Sequence, residues 1–307
     1  MGETRSAQVD VICCVFNPGP DLDSTIDSVL SQTYKNLRLV IVDDGSNCGL
    51  VRERLEGYAQ TDSRVELVLN AENRGLTYNL VEQVKLSRAE YIGRIDSGDT
   101  WHSDKLDKQV KTLNREEDLV VVGTQCRYVE MSGGEVGSSW FAESHEEIMN
   151  SIDFQVGIFE HSSILFRRVI NYRSEFKMSQ DLDLYLRAKR IGKLCCLPEY
   201  LTTCRINSSG LTIKKRYIQR KYQQLAYKSS RAVEKDGCDV NLQVKSNYFE
   251  SWLWARAEPF YLSYVIARTN NRPVVYWIFS LMITLIIYPP LITDYMLKLK
   301  TVFFKLR

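Results

Sequence analysis

The sequence has almost no net charge. Lysine and arginine number 40 and aspartate and glutamate 38, which leaves +2 at pH 7. Such a chain has no global field to gather nucleic acid, and no nucleic-acid partner is expected. Its eight cysteines, Cys13, Cys14, Cys48, Cys126, Cys195, Cys196, Cys204 and Cys238, include no Cys-x-x-Cys pair and no zinc-ligand spacing. They read as reduced thiols rather than a metal cage. Residues Met1 to Gln8 are polar, with Glu3 and Arg5, and lack the apolar core of a secretory leader. With the reduced thiols this places the chain, by expectation, in the cytoplasm. Internal repeats and low-complexity tracts are also absent. A chain of 307 residues can bury a large core, either one α/β domain or one domain with an appendage.

One long uncharged run stands out. From Pro273 to Thr293 no residue is charged, and Val274 to Tyr288 is nearly all apolar or aromatic. That is about the ~20 residues needed to cross a bilayer. Yet Pro289 and Pro290 interrupt it, and basic residues flank both sides, Arg268 and Arg272 before it and Lys298, Lys300, Lys305 and Arg307 after. Positive charge favours the cytoplasmic side. The pattern predicts a segment that dips into the inner face of a membrane or lies in its plane, with a buried core helix as the other reading.

The first 200 residues alternate in period. Val9 to Phe16 is an apolar run stopped by Asn17-Pro18-Gly19-Pro20, and Leu22, Ile26, Val29 and Leu30 then recur at helical spacing. Leu37 to Val42 predicts a second strand, ended by Asp43-Asp44-Gly45-Ser46 and followed by a polar helix through Glu53, Arg54 and Tyr58. Val65 to Leu69 predicts a third strand and Leu76 to Ser87 a helix. Tyr91 to Ile95 predicts a fourth, ended by Asp96-Ser97-Gly98-Asp99. Later strands are expected at Leu119 to Gly123, Arg127 to Met131, Ile164 to Phe166 and Lys193 to Leu197. A turn is expected at Gly133-Gly134, a helix at Asp181 to Arg190, and helical, more basic sequence from Ile213 to Ala267. Strands alternating with helices predict a mainly parallel sheet, with ligands bound at its carboxyl ends.

The acidic clusters fall at those ends. Asp96 and Asp99 bracket a two-residue turn, so two hard carboxylates can converge on Mg²⁺ or Mn²⁺, which neutralise phosphate oxygens. Asp43 and Asp44 can accept hydrogen bonds from a base or a ribose. Either cluster can instead be an ordinary Asx turn or helix cap. Asp181 opens a helix whose apolar stripe is Leu182, Tyr185 and Leu186. It can serve as a proton acceptor or as a carboxylate favoured by the helix amino terminus, with Asp183 the next candidate. His161 is a weaker candidate for an acceptor pocket. Lys214, Lys215, Arg216, Arg220 and Lys221 form a basic cluster suited to pyrophosphate, to anionic lipid heads or simply to a solvated helix face.

Taken together these motifs resemble glycosyltransferase family 2, the nucleotide-sugar-dependent enzymes of GT-A fold. The matching stretches are Val11 to Asn17, Val42 to Ser46, Glu72-Asn73-Arg74-Gly75-Leu76, Tyr91 to Asp99 and Gln180 to Arg187, in an order and spacing that cover roughly residues 8 to 206. The resemblance implies a nucleotide-sugar site of Phe16, Asn17, Asp43, Asp44, Arg74 and Asp96, a metal held by Asp96 and Asp99, and Asp181 as base. It also implies inverting transfer, in which the deprotonated acceptor hydroxyl attacks the anomeric carbon as the diphosphate leaves. Two positions depart from the family pattern: Gly98 stands where a metal ligand is often found, and Gln180 replaces the acidic residue that often precedes the base.

The expected architecture is therefore a GT-A domain over 1–210, a helical extension over 211–272 and an apolar, membrane-associating segment with a basic tail over 273–307. The expected function is transfer from a nucleotide-diphosphate sugar, UDP-linked by expectation, to a lipid-linked saccharide acceptor at the cytoplasmic face of a bacterial inner membrane. The setting implied by the resemblance is O-antigen or capsule synthesis. Two rivals are a sugar nucleotidyltransferase, which should carry a glycine-rich phosphate loop where Asn17-Pro18-Gly19-Pro20 stands, and a non-catalytic membrane scaffold that keeps the fold.

Overall fold

Strand β1 (Val9–Val15) sends alternate side chains to opposite faces, one wholly apolar and the other apolar apart from the buried Asp10, which pairs with Arg38. Such a strand has to be covered on each side. Val9, Val11, Cys13 and Val15 join a core built with helices α1 (Leu22–Leu30), α2 (Gly49–Thr61) and α4 (Lys105–Arg115). Ile12 faces the other core, lined by α3 (Leu76–Leu86), α5 (His145–Asp153), α6 (Gln180–Ala188) and α7 (Arg216–Asp236). This computed structural model describes residues 8–153, 158–206, 216–244, 282 and 284.

Beside β1 the sheet contains β2 (Leu37–Asp43), β3 (Val65–Leu69), β4 (Tyr91–Arg94), β5 (Thr100–Trp101), β6 (Leu119–Glu130), β7 (Glu135–Ser138), β8 (Leu165–Arg167) and β9 (Lys193–Ile206). Its order is β3-β2-β1-β4-β8-β6-β9-β5, with β7 paired to β6. Strands β1 to β4 are parallel, as the alternating pattern predicts, and β8 enters antiparallel between β4 and β6. Val15 lies opposite Asp43 and Ile12 opposite Arg94. The chain ends that leave β1, β2 and β4 therefore gather at one edge, where open α/β sheets bind ligands.

The far half departs from the predicted elements. The two short strands expected around Gly123 are one, because the polar residues between them are satisfied in place: the Thr124 and Thr202 hydroxyls pair at 2.9 Å, and Gln125 bonds Ser139 and the Phe141 backbone. Strand β9 continues past Pro198. The register steps from Thr124–Leu197 to Gln125–Tyr200, so Pro198 and Glu199 form a bulge where a missing amide breaks no ladder. Helices α4 and α5 and strand β5 add to the predicted set. Helix α7 packs into the second core through Ala226 and Tyr227 and is tied to it by Arg173–Ser229 and Lys189–Glu234 contacts. Among the described residues no helix is long and apolar enough to cross a membrane. The apolar run 273–293 lies outside the described residues apart from 282 and 284.

Candidate active site

The turns after β1, β2 and α3's leading loop form one interlocked rim. Asn17 adopts a left-handed conformation (φ 46°), its amide donates to Ser46 Oγ at 2.9 Å and its Oδ1 accepts from the Asn47 amide at 2.9 Å. Asp43 is buried, and its Oδ1 caps the Ser46 amide at 3.0 Å. Gly45 (φ 78°) lies so close to the Glu72–Asn73 backbone that a Cβ would come within 2.7 Å of it, so only glycine fits. Asp44 accepts from the Arg74 and Gly75 amides, both at 2.9 Å, and from Asn70 Nδ2 at 2.8 Å. Burial works to raise its pKa, but bonds from Asn79, the Arg74 amide, Asn70 and the Gly75 amide hold it below the usual carboxylate range. Arg74 stacks over Tyr78 at 3.7 Å. Phe16, 48% exposed beside these groups, offers an open aromatic face.

Deeper in, the fourth strand ends on a charge that sequence reasoning passed over. Arg94 is buried, and its guanidinium pairs with Asp96. The neighbouring Asp96 carboxylate keeps it firmly protonated against burial. The turn that follows is pinned by hydrogen bonds: the Asp96 amide donates to Ser162 Oγ at 3.0 Å, and the Gly98 amide, at φ 104°, donates to Thr25 Oγ1 at 2.9 Å. The Arg205 amide at the end of β9 donates to Asp99 Oδ1 at 2.9 Å. Burial and the charge of Asp96 push Asp99 up to about 7. Asp96 and Asp99 thus share one turn, as predicted. Two carboxylates with more acceptor positions than these donors fill suit a hard divalent cation that takes its remaining ligands from water and phosphate. Among the described residues no three or more histidine, cysteine or acidic groups are placed so that they could hold a metal ion together.

The third wall comes from Glu160, the short 3₁₀ turn His161–Ser163 and the start of α6. Ser179, before α6, is left-handed at φ 54° without a side-chain cap, an uncommon backbone conformation for a residue other than glycine. Asp181 stands in the first turn, partly open to solvent. Burial raises its pKa, opposed by the Leu182 amide and by Arg94. His161 Nε2 meets the Tyr172 hydroxyl at 2.7 Å, and burial with the nearby Arg94 keeps the ring neutral. Asp183 is not brought into this group. It is buried between Arg173, which pairs with both oxygens, and Arg187 Nε at 2.9 Å, and it fastens α6 to the core. Of the basic cluster, Arg220 is buried on α7, and Lys214 and Lys215 lie outside the described residues.

Sequence reasoning missed Arg94, Glu160, Ser162 and Arg205. The available signal for Arg94 was a charged residue inside an otherwise apolar strand, and for Glu160 a charge set between Phe159 and His161.

A family model described as "Glycosyl transferase family 2" matches residues 10–173, which takes in the rim and the acidic turn and ends before Asp181. An uncharacterized glycosyltransferase of Haemophilus influenzae is 24% identical over 214 residues, 66% of this chain and 66% of that protein. The "O-antigen biosynthesis glycosyltransferase WbnJ" of Escherichia coli is 29% identical over 184 residues, 58% of this chain and 70% of that one. The "Bifunctional glycosyltransferase pgtA" of Dictyostelium discoideum is 34% identical over 102 residues, 32% of this chain and 13% of its own length. The chain thus spans less than two thirds of the length of the first and last of these relatives.

Proposed function

The chain belongs to glycosyl transferase family 2, and from that membership we propose that it is an inverting glycosyltransferase acting on a nucleotide-diphosphate sugar, UDP-linked in the first instance. One observation carries the reading: the acidic turn Asp96–Asp99 and the raised-pKa Asp181 gather about a single buried Arg94, beside a rim that presents Phe16, Asn17, Asp43 and Arg74.

In this reading the base of the nucleotide lies on Phe16 and against Asp43, and Asp44 serves by holding the Arg74 loop in place. Asp181 accepts the proton of the acceptor hydroxyl as the oxygen attacks the anomeric carbon and the diphosphate departs from the opposite face. A carboxylate with a raised pKa suits that task, since its basicity moves toward that needed near neutral pH. Asp96 and Asp99 would hold Mn²⁺ or Mg²⁺, whose charge offsets that developing on the leaving diphosphate. Arg94 keeps the Asp96 carboxylate oriented. The acceptor is a lipid-linked saccharide in surface polysaccharide assembly. The E. coli relative's name, which assigns it to O-antigen biosynthesis, and the apolar run with its basic flanks support this setting, with the chain peripheral at the cytoplasmic membrane face.

The test is a screen of nucleotide sugars with the purified full chain and Mn²⁺. Donor consumption should require the metal, and Asp99→Ala should lower turnover by about hundredfold or more, as expected for lost stabilisation of a leaving charge. Full activity in saturating chelator removes the metal from the reading. No consumption of any nucleotide sugar overturns the reading itself.

A further inference from the structure

Two polar groups on the acceptor side have no task in the chemistry above. Glu160 accepts a hydrogen bond from the Tyr128 hydroxyl at 2.9 Å, and burial, opposed by that bond, combines with the charges of Asp181 and Asp96 to raise its pKa. Tyr185 stands one helical turn after Asp181 and is 2% exposed, and its hydroxyl has no hydrogen-bond partner among the described residues. Its ring is fixed edge-on by Phe159, with centroids 5.4 Å apart. The hydroxyl is buried among the ionisable groups of the cleft, since those acting on it are Asp181, Tyr172, Glu160 and Arg94. A buried hydroxyl without a partner is costly, and native proteins keep few of them. Beside a carboxyl group it forms a donor and acceptor pair that matches a sugar hydroxyl, which itself both donates and accepts.

We propose that Glu160 and Tyr185 form a subsite for a hydroxyl of the acceptor saccharide, adjoining the one that attacks, and so fix which ring position faces Asp181. The proposal rests on the glycosyltransferase reading. Tyr128 acts as a positioning residue, holding the Glu160 carboxyl toward the cleft.

The test uses the full chain, Mn²⁺, a nucleotide sugar that it consumes, and octyl glycosides of glucose, galactose and N-acetylglucosamine with their single deoxy analogues. Glu160→Gln should raise the acceptor KM about tenfold while kcat falls less than threefold, the scale of one buried hydrogen bond to a charged group. Tyr185→Phe should raise it about threefold and melt no lower than the parent, because it removes a buried hydroxyl that pairs with none of the described residues. It therefore decides the matter if Glu160→Gln fails to fold. The deoxy acceptor that loses most with the parent should lose no more with Glu160→Gln. Unchanged acceptor KM in both variants, or donor hydrolysis without transfer to any of these glycosides, overturns the subsite and leaves the transferase reading intact. A parent chain that consumes no nucleotide sugar overturns both.

Discussion

The two sides of the cleft treat their polar groups in opposite ways. On the donor rim, Asn17, Asp43 and Asp44 are spent on neighbouring amides, and Asp44 is held below the usual carboxylate range. On the acceptor side, Glu160 and Asp181 are pushed above it, mainly by burial, and the Tyr185 hydroxyl has no partner among the described residues. In the proposed reading the rim is mostly a finished scaffold, with Phe16 and the remaining acceptor positions of Asp43 left to meet the nucleotide, whereas the acceptor wall retains unfavourable burial that a bound acceptor would relieve. The difference teaches where stability has been traded for reactivity. It also implies that equivalent substitutions on the two sides should have opposite signatures.

The largest effect is expected at Asp181. Asp181→Asn keeps size and helix-start character but cannot take a proton, so turnover should fall roughly 10²- to 10⁴-fold. Melting should not fall, because burial disfavours the charged form that the variant removes. Calorimetric donor binding beside sugar transfer checks both arms. Near-parental transfer moves the base elsewhere, and a large loss of stability erases the contrast between the two sides.

On the rim the reverse is expected. Asp44→Ala strands the Arg74 and Gly75 amides and Asn70 Nδ2, which should cost about 2 to 4 kcal/mol in stability, since bonds to a charged acceptor contribute about 1.5 to 3 kcal/mol each and part of the loss is recovered by water. Urea denaturation reads this directly. The same carboxylate has a depressed folded pKa, so its contribution is present above the unfolded value and fades as pH falls through the folded one. A variant as stable as the parent makes the rim's hydrogen bonds ornamental and breaks the comparison.

How much of this was legible beforehand follows the same division. The rim and the acidic turn sit where apolar runs stop at aspartates, and a local pattern shows such stops plainly, so strands β1 to β4 and the grouping of Asp43, Asp44, Asp96 and Asp99 were readable. The acceptor wall is assembled from distant pieces. Glu160 reaches the cleft because β8 inserts between β4 and β6, and Arg205 because β9 runs on through a proline bulge; no local period encodes either event. Asp181 and Asp183 are indistinguishable as letters, and only the positions of Arg173 and Arg187 assign the second to structure.

The smallest effect tests whether burial alone marks a functional group. Lys105 on α4 is fully buried, its Nζ donates to Gln109 Oε1 at 2.9 Å and lies 3.8 Å from the Trp101 ring centre, and desolvation lowers its pKa to about 7. It belongs to the scaffold beneath the sheet, so its perturbation should appear in stability rather than in turnover. Between pH 7 and the unfolded lysine value the unfolded chain binds the extra proton, so stability should rise with pH by up to about 1.4 kcal/mol per unit. The useful window closes near pH 8.5, where thiols that titrate in the unfolded chain but not when buried, such as Cys13 at about 12, begin to oppose it. Lys105→Met retains the apolar stem and leaves Gln109 Oε1 without its donor, which shifts the whole curve but adds no slope. Denaturation of parent and variant from pH 7 to 8.5 should therefore show the rise in the parent alone, with kcat altered less than threefold. Equal slopes would mean that Lys105 keeps its charge in the folded protein. A collapse of kcat in a folded variant would make a buried titratable group outside the cleft functional after all, and the contrast between acceptor wall and scaffold would lose its meaning.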